Sequence, residues 1–289
     1  MKTQKTILIA FVLNLFFSVM EFIGSYFTQS VAITSDALHD FVDAITIGIA
    51  YCLERISHRP ANKENTYGFI RYGVVGSGLT TLLLILGSAV IMYHATEKLL
   101  HPADIHHNGM IWMAVFGVVL NGSAAYLTRD HDSLTQKSVN LHMLEDVLGW
   151  LVLLVGAWII KFSGWNILDP ILSLGVSLFI LYEACKHLKD ILNILLDKTP
   201  ADIHPDEIKA AILMVPEVDD VHHLHIRSLD GKIHSATVHI ITDTPSVKAQ
   251  VRSILESMHI QHATIEVDPP GTQLSSHEPQ YHIHSHHHH

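Results

Sequence analysis

The chain has 289 residues, 48% hydrophobic and only 16% charged, with a mean hydropathy of +0.29; soluble domains carry about 25% charge, so the composition is that of a membrane protein with a soluble part. The formal net charge is −10, and from residue 200 onward 12 Asp and Glu stand against 5 Lys and Arg, which excludes the basic patches of a nucleic-acid binder and suits a domain that collects cations. Two cysteines, Cys52 and Cys185, exclude a disulfide framework; set in apolar stretches, they read as buried packing.

A spanning helix needs about 20 mostly apolar residues. Six segments meet that length approximately: 7–28, 32–54, 71–93, 109–128, 136–160 and 167–188. The first is not a cleaved signal, because its apolar stretch is long, contains Glu21 and lacks a small-residue cleavage site. Lys and Arg set orientation. With both termini cytoplasmic, the inner segments hold Lys2, Lys5, Arg55, Arg59, Lys63, Arg71, Arg129, Lys137, Lys186, Lys189 and Lys198, and the outer loops hold only Lys98 and Lys161.

After LLDKTP (195–200) the pattern changes. PDEIKAAILMV (205–215) reads as an amphipathic helix with an acidic first turn. VHHLHIRSL and IHSATVHII flank Asp230-Gly231, a hairpin signal. PSVKAQVRSILESM (245–258) reads as a second helix and ATIEVD (263–268) as a third strand. The order αββαβ predicts a compact α+β unit with two helices on one face of an antiparallel sheet. The expected division is a membrane domain over 1–198, a soluble domain over 199–270 and a disordered tail over 271–289. Of the 24 histidines, seven fall in the last thirteen residues, as a metal-collecting segment or a terminal tag.

Charges inside spans cost at least about 2.5 kcal/mol each on insertion scales and point to function. Span 2 carries Asp36, His39, Asp40 and Asp43; span 5 carries His142, Glu145 and Asp146; apart from Arg71 at the inner end of span 3, spans 3 and 4 carry none. His39 and Asp43 are four apart, as are His142 and Asp146, so each pair stands on one helical face. Two such faces supply two nitrogens and two oxygens, a donor set for tetrahedral Zn²⁺, where Ca²⁺ or Mg²⁺ would want more oxygens. Depth agrees: at 1.5 Å per residue, Asp43 lies about 18 Å from Val31 and Asp146 about 22 Å from Lys161. Asp36, a turn before His39, is placed to orient it; Asp40 is rotated about 100° away and faces another helix. Asn14 and Glu21 share a face of span 1, as packing hydrogen bonds or as pathway residues. Two carboxylates neutralise a divalent cation, and no cysteine reinforces the set, so the site suits passage rather than permanent residence.

With these residues in view, the chain resembles the cation diffusion facilitators, a zinc-efflux family, to about residue 270. EFIGSYFTQSVAITSDALHDFVD (21–43) is similar to the family's passage from helix 1 into helix 2, and NLHMLEDVLG (140–149) to its helix 5 motif. The resemblance implies a homodimer in a bacterial inner membrane that exchanges Zn²⁺ for protons, with His39, Asp43, His142 and Asp146 as the transport site. It implies further zinc in the cytoplasmic domain at His222, His239 and Asp268, with Glu266 where some members have histidine. It also implies an Arg71–Asp197 salt bridge clamping the dimer. Some bacterial members carry another zinc site between helices 2 and 3; here Asn62, Asn65 and Phe69 occupy its places, so that site is expected to be absent.

Metal-binding histidine must be neutral and aspartate ionised, so metal and protons compete, and histidine titrates in the physiological range. The expected activity is therefore zinc/proton antiport by alternating access. An enzyme is not expected: a zinc hydrolase needs a general base, and Glu145, its only candidate, points about 100° from Asp146. A metal sensor without transport would bind zinc and move none.

Overall fold

The computed structural model describes residues 2–28, 31–100, 107–130, 133–163 and 168–271. The chain divides into two units, Met1–Leu192 and Asn193–His289. The first is built on α1 (Lys2–Thr28), α2 (Val31–Ser57), α3 (Arg71–Leu100), α4 (His107–Thr128), α5 (Leu134–Ser163) and most of α6 (Leu168–Leu195). These helices have 22 to 30 residues, about 33–45 Å, against a hydrocarbon thickness of about 30 Å.

Their polarity is inverted relative to a soluble bundle. On α1, Asn14, Ser18 and Glu21 are buried, while Leu8, Val12, Phe16, Val19 and Ile23 are exposed along the opposite stripe. An exposed apolar stripe of that extent is unfavourable in water and neutral in lipid. By length and composition, Thr3–Ile23 and Arg71–Glu97 qualify as spans among the described residues, and Val115–Thr128 is a shorter apolar run. Helix α2 falls short because the carboxylates Asp36, Asp40 and Asp43 interrupt its apolar run. Cys52 and Cys185 are exposed, which corrects the expectation of buried thiols: in such a bundle apolar surroundings mark the outside as well as the core.

Helix α5 is packed on two sides. Val139 and Met143 join Ile7 and Ala10 of α1, Ile47 and Ala50 of α2 and Ala124 of α4. Leu141 joins Leu84 of α3 and Ile180 and Ala184 of α6. Deeper along the first side, Trp150 stands edge-on to Phe17 with centroids 5.6 Å apart, and a Cβ on Gly117 of α4 would come within 2.6 Å of the Trp150 ring. Gly117→Ala is therefore expected to push α4 off α5 and to destabilise the bundle by about 1–3 kcal/mol, visible as a lower thermal midpoint in detergent; an unchanged midpoint would mean that the indole swings away freely.

The second unit contains α7 (Pro205–Leu213), β1 (Asp220–Ser228), β2 (His234–Ile241), a 3₁₀ turn (Pro245–Val247), α8 (Lys248–Ser257) and β3 (His262–Asp268). Pro205 opens α7 and Asp206 and Glu207 occupy its first turn, matching the helix macrodipole. At the hairpin, Asp230 Oδ1 accepts hydrogen bonds from the Lys232 and Ile233 amides at 2.9 and 2.7 Å, and Gly231 takes the positive φ of 91° that the turn demands.

The sheet order is β1-β2-β3. β1 and β2 pair antiparallel, but β3 runs parallel to β2, which corrects the expectation of an antiparallel sheet. The chain leaves β2, crosses through α8 and returns in the same direction, as a β-helix-β crossover must. Ile208 and Ile212 of α7 and Val251 and Leu255 of α8 pack with Val221, Ile226, Ala236, Val238, Ile240, Ala263 and Ile265 of the sheet.

His234, at the start of β2, is 4% exposed, and its Nδ1 is buried without a hydrogen-bond partner. Burial pushes its pKa below the usual imidazole value, opposed by Asp202 and Asp230 and assisted by His259. The unfolded chain then binds the proton more readily than the folded one, so stability rises with pH through that interval and falls as pH drops below about 6.5. We expect the C-terminal unit to lose stability on acidification and His234→Gln to flatten that slope, as read from denaturant midpoints between pH 5 and 8; an unaltered slope would contradict it.

Candidate metal centres

On α2, Asp40 and Asp43 are half-buried whereas Phe41, Val42 and Ile45 are exposed, so the carboxylates face inward. On α5, His142 and Glu145 are buried. His142 Nε2 lies 3.6 Å from Asp43 Oδ2, and Asp43, His142 and Asp146 each bring one ligand atom within 4.8 Å of the others. A gap of 3.6 Å is long for a hydrogen bond, and His142 Nε2 is buried without one. Zn–N and Zn–O bonds of about 2.0–2.2 Å put tetrahedral ligand atoms roughly 3.3–3.5 Å apart, so the observed gap fits a cation between the two side chains better than direct contact. His39 and Asp36 lie within α2, but their side chains are outside the described residues.

Glu145 is turned elsewhere: its Oε1 accepts a 2.7 Å hydrogen bond from Ser88 of α3. Asn14 and Glu21 are 2% and 1% exposed on the inward face of α1. One turn before His142, Ser138 joins a polar cage that the sequence does not announce. Ser138 Oγ is 2.6 Å from Ser77 Oγ, 3.1 Å from Thr81 Oγ1 and 3.0 Å from His187 Nε2, and Ser77 Oγ is 3.2 Å from the same nitrogen. Hydroxyls of α3 and α5 thus enclose a fully buried imidazole of α6. In the loop before α3, Asn62 Oδ1 accepts from the amides of Glu64 and Asn65 at 3.1 and 2.6 Å, which makes it a turn residue.

The second constellation lies on the sheet. His222 and His239 face each other across β1 and β2, and Asp268 ends β3 opposite Ile241. Asp268 Oδ2 is 3.1 Å from both His222 Nε2 and His239 Nδ1, and the three residues form a group of ligand atoms within 4.8 Å. The other nitrogen of His239, Nε2, is 3.5 Å from Glu266 Oε2. Burial pushes the His222 pKa down, opposed by Asp268, so the ring is held neutral, the form that binds metal. Two imidazoles and a carboxylate oxygen in mutual reach fit Zn²⁺, which accepts N and O donors tetrahedrally. Asp197, at a φ of 53°, has Arg227 Nη1 3.4 Å from its carboxylate within the same unit; Arg71 opens α3 in the other unit. The His-rich end of the tail, from residue 272, lies outside the described residues.

Comparison with known proteins places these centres in context. Residues 7–196 match the family model described as the cation efflux transmembrane domain, and residues 200–270 match that of the cation efflux protein cytoplasmic domain. The chain is 32% identical to the metal cation efflux system protein CzcD of Cupriavidus metallidurans, over 92% of this chain and 86% of that one. It is 29% identical to the zinc transporter ZitB of Escherichia coli, over 99% and 94%. It is 27% identical to a cadmium, cobalt and zinc/H(+)-K(+) antiporter of Bacillus subtilis, over 95% and 91%.

Proposed function

Since the chain belongs to the cation efflux family, the cation diffusion facilitators, whose named relatives are membrane transporters and not enzymes, we propose that it exports Zn²⁺ from the cytoplasm in exchange for protons. The observation that carries this reading is the inward-facing group of Asp43, His142 and Asp146 between α2 and α5, in a unit whose outer surface is apolar. His39, four residues before Asp43 on α2, supplies the fourth ligand of a His2Asp2 site.

In this proposal α1 to α6 all span the membrane, with both termini cytoplasmic as the Lys and Arg distribution favours. Zn²⁺ enters from the cytoplasm and displaces protons from His39 and His142. The bundle then opens outward, and protons from the more acidic side displace the metal. Asp36 and Asp40 orient the ligands or line the path, and Asn14 and Glu21 line it from α1. The protein works as a homodimer in a bacterial inner membrane, with Arg71 and Asp197 bridging subunits. Zn²⁺ held by His222, His239 and Asp268, with Glu266 beside them, regulates the cytoplasmic domain.

Direction is the first thing to test. Production of the protein in bacterial cells that lack their own zinc exporters should lower cell zinc under zinc load and restore growth, and the same cells with His142→Ala should stay zinc-loaded. Raised cell zinc would mean import and would overturn the proposed direction.

A further inference from the structure

The pairing of β1 with β2 is regular up to His222↔His239 and resumes at His225↔Thr237. Two residues of β1, His223 and Leu224, therefore stand against one of β2, Val238. This is a β-bulge, a device that re-aims a side chain. Its effect can be read from burial. Val221 and Ile226 are core residues, and Leu224 packs against the same core. In an unbroken strand His222 and His223 would point to opposite faces. The extra residue instead leaves both on the face of His239, and returns Leu224 to the core. The strain falls on the backbone of His223, whose φ is 48°, a left-handed conformation that costs a non-glycine residue on the order of 1–3 kcal/mol.

The three rings form a nearly equilateral triangle. Centroid separations are 5.2 Å for His222–His223, 5.2 Å for His223–His239 and 5.3 Å for His222–His239. Three imidazoles bound to one tetrahedral ion, with bonds of about 2.0–2.1 Å, have ring centres roughly 5.2 Å apart. Asp268 already bridges two of these rings from below. We propose that His223 is the fourth ligand of the cytoplasmic Zn²⁺ site, so that His222, His223, His239 and Asp268 close a His3Asp centre within a single chain. His223 reaches it by turning its ring about its own side-chain bonds. Glu266 then stands behind His239, at the nitrogen that does not face Asp268, and orients that ring as carboxylates commonly do for metal-bound histidine. Four protein ligands make a closed centre of the structural kind, with no open position, so the ion is retained rather than passed on, and no ligand from a second subunit is required.

This inference rests on the reading of His222, His239 and Asp268 as a metal site, and the test separates the two. The whole protein, purified in detergent with Asp43→Ala to disable the membrane site and with the seven histidines of residues 277–289 changed to alanine so that the tail holds no metal, is titrated with Co²⁺ and Zn²⁺ against a chelator while the cobalt d–d absorption is recorded. His223→Gly is the informative variant, because glycine accepts the positive φ and relieves the strain. We expect it to keep or raise the thermal midpoint of the metal-free protein, to weaken binding by at least about 10–100-fold, the range seen when even an orienting partner of a ligand is lost, and to alter the cobalt spectrum. His225→Ala, whose ring lies 6.3 Å from that of His223, should change nothing. If His223→Gly binds as tightly as the parent while His239→Ala does not, His223 is not a ligand and the proposal is overturned. If His239→Ala also binds unchanged, the cytoplasmic site itself is absent, and the proposal falls with it.

Discussion

Asp146→Asn is expected to reduce zinc transport by two orders of magnitude or more while leaving the protein folded. Asp146 shares its ligand group with Asp43 and His142. In the proposed cycle the carboxylates of Asp43 and Asp146 together neutralise the dication in a low-dielectric site. Leaving a buried charge uncompensated costs about 3–5 kcal/mol, which corresponds to a factor of a hundred or more in occupancy. The substitution keeps the volume and one acceptor oxygen, so packing against α2 survives. Initial rates of zinc uptake into sealed vesicles, beside the thermal midpoint of the same sample, provide the check. A loss of rate with an unchanged midpoint supports the site. An Asp146→Asn protein that transports at the normal rate would remove Asp146 from it.

Asp268→Ala is the second substitution with a large expected effect, and its effect is on binding. One oxygen of Asp268 lies 3.1 Å from a nitrogen of each of two histidines on two different strands. Its removal takes away the only carboxylate of the cytoplasmic ligand group. Affinity at that site should fall by at least about 100-fold, in line with losing a directly bound ligand rather than an orienting one. Asp268 is the last residue of β3, past the buried Ala263 and Ile265, so the fold should tolerate the change. Zinc titration with a competing chelator measures the loss. Retained affinity would show that the imidazoles suffice and that Asp268 only accepts their hydrogen bonds.

The parts legible in the sequence are those written in local spacing. The four-residue intervals of His39 and Asp43 and of His142 and Asp146 place each pair on one helical face, and the structure brings Asp43 to 3.6 Å from His142. The alternation of Ala236, Val238 and Ile240 marks a strand face, and those three residues are in the core. The direction of β3 is not encoded in alternation, because a strand buries the same residues whichever way it runs. The bulge is equally silent: VHHLHIRS reads as a plain strand, and only the register against β2 shows that His223 changes face. The cage around His187 joins Ser77 and Ser138 at separations of 110 and 49 residues, each an ordinary polar residue in its own helix. Cys52 and Cys185 illustrate a different limit. Hydropathy cannot distinguish a core-facing position from a lipid-facing one when both are apolar.

Proton-coupled zinc exchange through one intramembrane site is the central claim, and simultaneous recording of zinc entry and proton exit in sealed vesicles of the purified protein tests it most directly. With an imposed pH gradient, acid on the trans side, the parent protein should move zinc inward and protons outward in a fixed ratio. Collapse of the gradient should slow both, and Asp43→Ala and His142→Ala should abolish both. Zinc flux at the same rate without the gradient and without proton movement would contradict exchange. Zinc bound at the membrane site with no flux in either direction would make the protein a metal sensor and not a transporter.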